Sequence, residues 1–226
     1  MEGQLIFIMI AVFVGLAFII HAHHRAHVRS SKLAGWAAAK GLYFHKGKVK
    51  SFDDEHPVLR CLRRGHSRFA YNVANGEWGE FVFTSFDYHY ATGSGKNRRT
   101  YRFSGIFLRP RFPLQPLIVR PEGFFDKVKA GFGMNDIDFE SAEFSKKFYV
   151  TAVDKRWAYD VITPRVMEFL LRERNSPARL SFELDHELIC VVSKKVLSVP
   201  EIEQAVHFGK AILDSIPDYV RQKQTN

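Results

Sequence analysis

Residues 67–90 read SRFAYNVANGEWGEFVFTSFDYHY, and the fold turns on how this stretch is paired. The run from Phe81 to Phe86, FVFTSF, mixes aromatic and β-branched side chains, which fit a pleated, half-buried surface better than a helix. Asn75-Gly76 interrupts the apolar pattern. Both central positions of a tight hairpin turn take positive φ, which Asn and Gly tolerate best. The spacing therefore predicts two antiparallel strands, 67–74 and 77–90, turning at Asn75-Gly76.

Toward the carboxyl end, Gly93, Gly95 and the residues between them mark a loop, and 99–108 returns as a strand. A strand over 114–119, a helix over 123–131 and a strand over 147–153 follow. Thr163-Pro164 supplies an N-cap and a proline at the first helical position, opening a helix to Arg174. Strands 179–184 and 187–193 pair around Asp185-His186. The last helix spans 199–216, with Ala205, Phe208, Ile212 and Ile216 on one stripe. Toward the amino end, Ser51 caps a short helix running to Leu62, with Gly65 beyond it. Strands and helices come in groups, which argues α+β with an antiparallel sheet. The order strand, helix, hairpin describes both 42–90 and 147–193, an echo that raises internal duplication.

The amino-terminal region has a different chemistry. Residues 5–20, LIFIMIAVFVGLAFII, contain no polar side chain. With Gly3 and Gln4 the uncharged run is about 27 Å long as a helix, close to the ~30 Å hydrocarbon core of a bilayer. No Lys or Arg precedes it and no small-residue cleavage site follows, so a retained anchor is expected, not a removed signal. Residues 21–50 hold seven Lys/Arg and no acid, while the other flank holds only Glu2. The positive-inside rule then puts the amino terminus outside and the remainder in the cytoplasm, at the inner membrane of a cell. Cys61 and Cys190 would sit there as free, buried thiols. The expected organisation is an anchor with a basic, His-rich flank over 1–28, and a juxtamembrane helix and linker over 29–50. A cytoplasmic α+β domain over 51–221 and a tail over 222–226 complete it. Trp36 lies about 24 Å beyond Ile20 along a helix, which favours packing on the body over a place near the headgroups.

Charge is the most informative functional signal. The formal net charge is +9, and a second acid-free window, 88–121, carries seven further basic residues. Lys96, Arg98, Arg99 and Arg102 cluster there, interleaved with Tyr88, Tyr90, Tyr101 and Phe103. This basic hairpin is the candidate anion- or partner-binding site, and the two windows could share one surface; the alternative is a solvated hairpin whose arginines serve solubility. A juxtamembrane polybasic segment gains ~1 kcal/mol per charge against anionic lipid. The expected contacts are the bilayer, anionic headgroups and a protein partner. Nucleic acid is not expected, since no helix-turn-helix or RNP signature accompanies the basic residues.

Other motifs carry less. Gly93-Ser94-Gly95-Lys96 lacks the first glycine and the Ser/Thr of a phosphate loop and joins two strands. His21, His23, His24 and His27 have helical spacing, but no carboxylate or cysteine completes a metal site. No serine-hydrolase, zinc-protease or kinase motif is present, and no catalytic residue, metal or cofactor is expected. Asp87, inside an aromatic strand, needs a partner such as an arginine if it is buried.

Several phrases together resemble a family of bacterial membrane-associated proteins with no assigned activity. They are FDYHYATGSGKNRRT from Phe86 to Thr100, DIDF from Asp136, FSKKFYV from Phe144, Asp154, and ITPRVMEFL from Ile162 to Leu170. The resemblance covers roughly residues 70–195. It implies membrane association and transfers no catalytic or ligand-binding residue. The expected function is a membrane-anchored binding or scaffolding module working through its basic hairpin. The alternatives are an enzyme acting at the membrane surface and a nucleic-acid-binding module.

Overall fold

The computed structural model describes residues 2–122, 135–176 and 178–223. Helix α1 (Glu2–Ala39) leads into β1 (Tyr43–His45), β2 (His66–Trp78), β3 (Phe81–Thr92) and β4 (Arg99–Arg109). Then come β5 (Leu117–Pro121), β6 (Asn135–Asp136), α2 (Ala142–Lys147), β7 (Phe148–Ala152), α3 (Lys155–Val161) and α4 (Pro164–Glu173). Strands β8 (Leu180–Leu184) and β9 (Ile189–Ser193) and helices α5 (Val199–Asp214) and α6 (Asp218–Lys223) finish the chain. The nine strands form one sheet in the order β1-β2-β3-β4-β9-β8-β5-β7-β6, and neighbouring strands pair antiparallel. The fold is α+β, as the grouping of elements predicted.

The central hairpin does not turn at Asn75-Gly76. Strand β2 continues, with Asn75 opposite Thr84 and Gly76 opposite Phe83, and the turn falls at Gly79-Glu80 between the paired Trp78 and Phe81. Trp78 explains the shift. Its ring packs 5.2 Å from Phe83 and 5.9 Å from Trp36, and turning four residues earlier would forfeit that aromatic contact. Gly79, at φ +60°, supplies the left-handed turn position instead. Gly76 serves a close approach: a Cβ there would lie 2.9 Å from Leu42 Cδ2.

The helix expected over residues 51–62 is a string of turns. Pro57 has no amide hydrogen, and the backbone bonds are i to i+3, from Asp54 to Ser51, His56 to Asp53, Leu59 to His56 and Leu62 to Leu59. These turns press Phe52, Leu59 and Leu62 onto Tyr88, Phe86 and Phe103, the core on one sheet face. Residues 29–50, expected as a helix and linker, belong to the body. Helix α1 is continuous to Ala39 and ends in paired Gly41 N–H to Ala38 O and Leu42 N–H to Ala37 O bonds around a left-handed Gly41. Leu33, Trp36, Ala37 and Leu42 enter the larger core, and β1 extends the sheet. Strand β5 starts three residues later than expected, after Pro116. The helix expected over 123–131 lies outside the described residues. Helices α2 and α3, capped by Ser141 and Asp154, were not expected at all.

Helix α5 covers the other sheet face. A Cβ on Gly209 would lie 3.0 Å from Leu108 Cδ1 and 3.1 Å from Val191 Cγ2, so glycine here permits the close approach. Along the amino-terminal half of α1, Phe7, Phe13, Leu16, Phe18 and Ile20 are all exposed. A helix this apolar with no protein packed against it is long and apolar enough to cross a membrane.

Candidate functional site: a basic cleft between α1 and the sheet

Along β3 alternate residues share a face, and the face toward α1 changes character stepwise. Phe81 and Phe83 are buried in the core, Ser85 and Asp87 are buried and polar, and His89 is partly exposed. Helix α1 runs alongside in register with that gradient. Trp36 packs edge-on to Phe83 at 6.2 Å and donates from Nε1 to Glu203 at 3.2 Å. Two turns earlier, Arg29 reaches Asp87.

Asp87 is 2% exposed and is surrounded by donors. Arg29 gives Nε to Oδ2 at 3.1 Å and Nη2 to Oδ1 at 2.8 Å. Asn72 Nδ2 donates at 2.9 Å and Ser104 Oγ at 2.5 Å. Ser30 Oγ in turn donates to Asn72 Oδ1 at 3.0 Å, and Leu197 N to Ser104 Oγ at 2.9 Å. Arg29 also donates to the Leu197 carbonyl. The partner that the sequence demanded for Asp87 is an arginine 58 residues earlier on the emerging helix. This network is a dock for α1.

One turn nearer the apolar end, helix and sheet separate and a cleft of about 1130 Å³ opens. Its helical wall is Phe18, His21, Arg25 and Arg29, and its floor is Phe69, Tyr71, His89 and Arg102. Lys46, Lys48 and Arg98 stand on its margin. No carboxylate lines it, and among the described residues Arg25, Lys46, Lys48, Arg98 and Arg102 form no salt bridge. The floor is a stack: His89 lies 4.4 Å from Phe69 at 15°, and Lys48 Nζ sits 4.7 Å from the Phe69 ring centre. The Ser67 carbonyl faces His89 Nδ1 at 3.0 Å, so Nδ1 carries a proton and donates it. Burial, with the Asp87 charge nearby, pushes the Tyr71 hydroxyl up to about 12, leaving it a neutral donor.

Of the four residues singled out in the hairpin, Arg98 and Arg102 line this cleft and Lys96 and Arg99 do not. Lys96 is in the exposed 3-10 turn Gly95–Asn97 at the hairpin tip. Arg99 has the parity of Tyr101 and Phe103, which places it on the opposite sheet face. The tip connects strands, as expected for a hairpin and not for a phosphate loop. Arg25, Lys46 and Lys48 were visible only as members of the first acid-free window. What sequence could not show was that both windows meet across α1. Phe69, Tyr71 and His89 carried no signal beyond strand propensity.

Other chemistry lies elsewhere. Among the described residues no group of three or more His, Cys, Asp or Glu gathers as a metal site would need. Cys61 and Cys190 are buried, 3.7 Å apart at sulfur, and burial pushes both thiols up. Glu183 beside them accepts from Arg60 N at 2.6 Å and Cys61 N at 3.0 Å. Ser67 Oγ lies 3.0 Å from His66 Nδ1, whose Nε2 faces the Gly93 carbonyl at 2.8 Å. Both members of that pair are exposed to water.

No family model matches the chain, and no curated protein matches it. A solved structure described as "crystal structure of the mycobacterial trehalose monomycolate transport factor A, TtfA" is similar in fold, with a TM-score of 0.59 at 11% identity. The match covers 84% of this chain and 96% of that one. At that identity the likeness concerns the fold alone: this chain has an α+β body of the kind seen in that transport factor, led by one helix long and apolar enough to cross a membrane.

Proposed function

We propose that this protein is a single-pass membrane protein whose body lies on the cytoplasmic side and binds anionic headgroups through its basic face. The observation carrying this reading is the cleft's composition and place: six Lys/Arg line it with no carboxylate among them, Arg29 alone being paired, to Asp87, and it begins at Phe18 inside the apolar helix. Seven Lys/Arg after the span against one acid before it favour an outside amino terminus. Because the Asp87 network and Trp36 hold α1 to the sheet, the body cannot swing freely on its anchor, and the hairpin tip points toward the bilayer. Such a surface recruits or scaffolds at the membrane without chemistry of its own.

The Ser67–His66 pair favours a second reading, an acyl-transfer enzyme acting at the surface. A hydroxyl hydrogen-bonded to an oriented imidazole is how serine nucleophiles are activated. Against it, the pair stands in water, where electrostatic stabilisation of an oxyanion is weak. Labelling of Ser67 by a fluorophosphonate, abolished in Ser67→Ala, would establish that reading; no labelling removes it.

The binding reading is tested with protein lacking residues 1–20, which keeps Arg25 and Arg29. It should float with vesicles containing phosphatidylglycerol and not with pure phosphatidylcholine. Flotation should vanish near 1 M salt, where the screening length is only about 3 Å. Equal flotation with both vesicle types, or with neither, contradicts it.

A further inference from the structure

The cleft's volume, about 1130 Å³, goes beyond what surface contact requires. We propose that it binds one phosphorylated amphiphile, with a doubly charged phosphomonoester head among Arg25, Lys46, Lys48, Arg98 and Arg102 and its chain lying along Phe18. This rests on the headgroup-binding reading for the cleft's place at the bilayer and deepens it to a single bound molecule.

Three features support it. A planar bilayer touches convex surfaces and margins, yet Arg25 and Arg102 line a concavity of about 1130 Å³, room for a headgroup and part of a chain. Like charges gathered around a void repel unless an anion enters. Asp87, directly beneath, is already bound by Arg29, Asn72 and Ser104 and cannot serve. A phosphodiester brings one negative charge to five cations, whereas a phosphomonoester brings nearly two and offers three oxygens to the forked donors of Arg98 and Arg102. Finally, the cleft is graded along α1, from Phe18 and Ala22 to Arg25 and Arg29. That is about 16 Å of helix from apolar to cationic, which matches an amphiphile rising out of the bilayer headfirst.

The test uses the full chain in phosphatidylcholine nanodiscs doped with phosphatidic acid or phosphatidylglycerol, with retained lipids counted by native mass spectrometry after release. One phosphatidic acid per chain should be retained, with a preference over phosphatidylglycerol of about tenfold or more. Arg98→Ala with Arg102→Ala should abolish that retention. Lys96→Ala with Arg99→Ala, outside the cleft, should leave it within about twofold. Equal retention of the two lipids, weakened alike by both double variants, overturns the single-molecule proposal while leaving general headgroup attraction intact. If glycerol 3-phosphate displaces the lipid at matching concentration, the site is one for free phosphate and the amphiphile is excluded. Retention of neither lipid, with flotation also lost, ends both readings.

Discussion

Among single residues, Asp87 and Glu183 show how differently two buried carboxylates can be used. Asp87 is held by a cation and two neutral donors, whereas Glu183 has two backbone amides and sits beside a pair of thiols. Burial pushes Glu183 up to about 7, and the amides of Cys61 and Arg60 only partly oppose it. Its folded pKa is therefore above the unfolded value of 4.5. The native state binds the extra proton, so this contribution to stability is complete below 4.5 and is lost as pH rises to about 7. The wild-type unfolding free energy should fall across that window with a slope of at most about 1.4 kcal/mol per pH unit. Glu183→Gln should flatten the profile, and parallel profiles by denaturant unfolding would contradict the assignment. Asp87 could be read from sequence because an acid between Phe86 and Tyr88 breaks a strand's apolar pattern. Glu183, in a strand of otherwise ordinary alternation, could not, since only the third dimension shows that both sheet faces are covered there.

At the scale of elements, the decisive unit is α1, whose carboxyl-terminal half is a structural member of the sheet domain. Its dock can be broken at one point. Removing the Asp87 carboxylate leaves Arg29 partly buried without a counter-ion, and breaking such a pair typically costs about 3–5 kcal/mol. Asp87→Ala should lower stability by that order and free α1 from the sheet, read as faster amide exchange over residues 28–39. Loss below about 1 kcal/mol, the range of an exposed ion pair, with unchanged exchange would mean that Trp36 and Leu33 alone hold the helix. Most strands and the capped helices α4 and α5 were legible from alternation, Thr163-Pro164 and the apolar stripe. The misread pieces share one cause. Asn75-Gly76 and the capped 51–62 stretch carry correct local signals that tertiary packing overrode, through Trp78 on Trp36 and through Phe52, Leu59 and Leu62 on the aromatic strand face.

At the scale of the whole molecule, one axis organises everything: a helix that at one end is long and apolar enough to cross a membrane closes on a sheet at the other, and the cleft lies where it parts from that sheet. The basic windows are separated by some forty residues of sequence, so composition showed their charge and only topology could show that they face each other. The central claim is that the docked helix sets the hairpin tip at headgroup level and the Gly79-Glu80 turn away from it. The twelve residues of β3 separate those ends, about 37 Å of strand. Because Cys61 and Cys190 are buried, single spin labels at Lys96→Cys and Glu80→Cys can be read in the full chain in bilayers bearing a nickel-chelating lipid. The account predicts strong relaxation at position 96 and almost none at position 80; equal relaxation at both, or the reverse order, would contradict it.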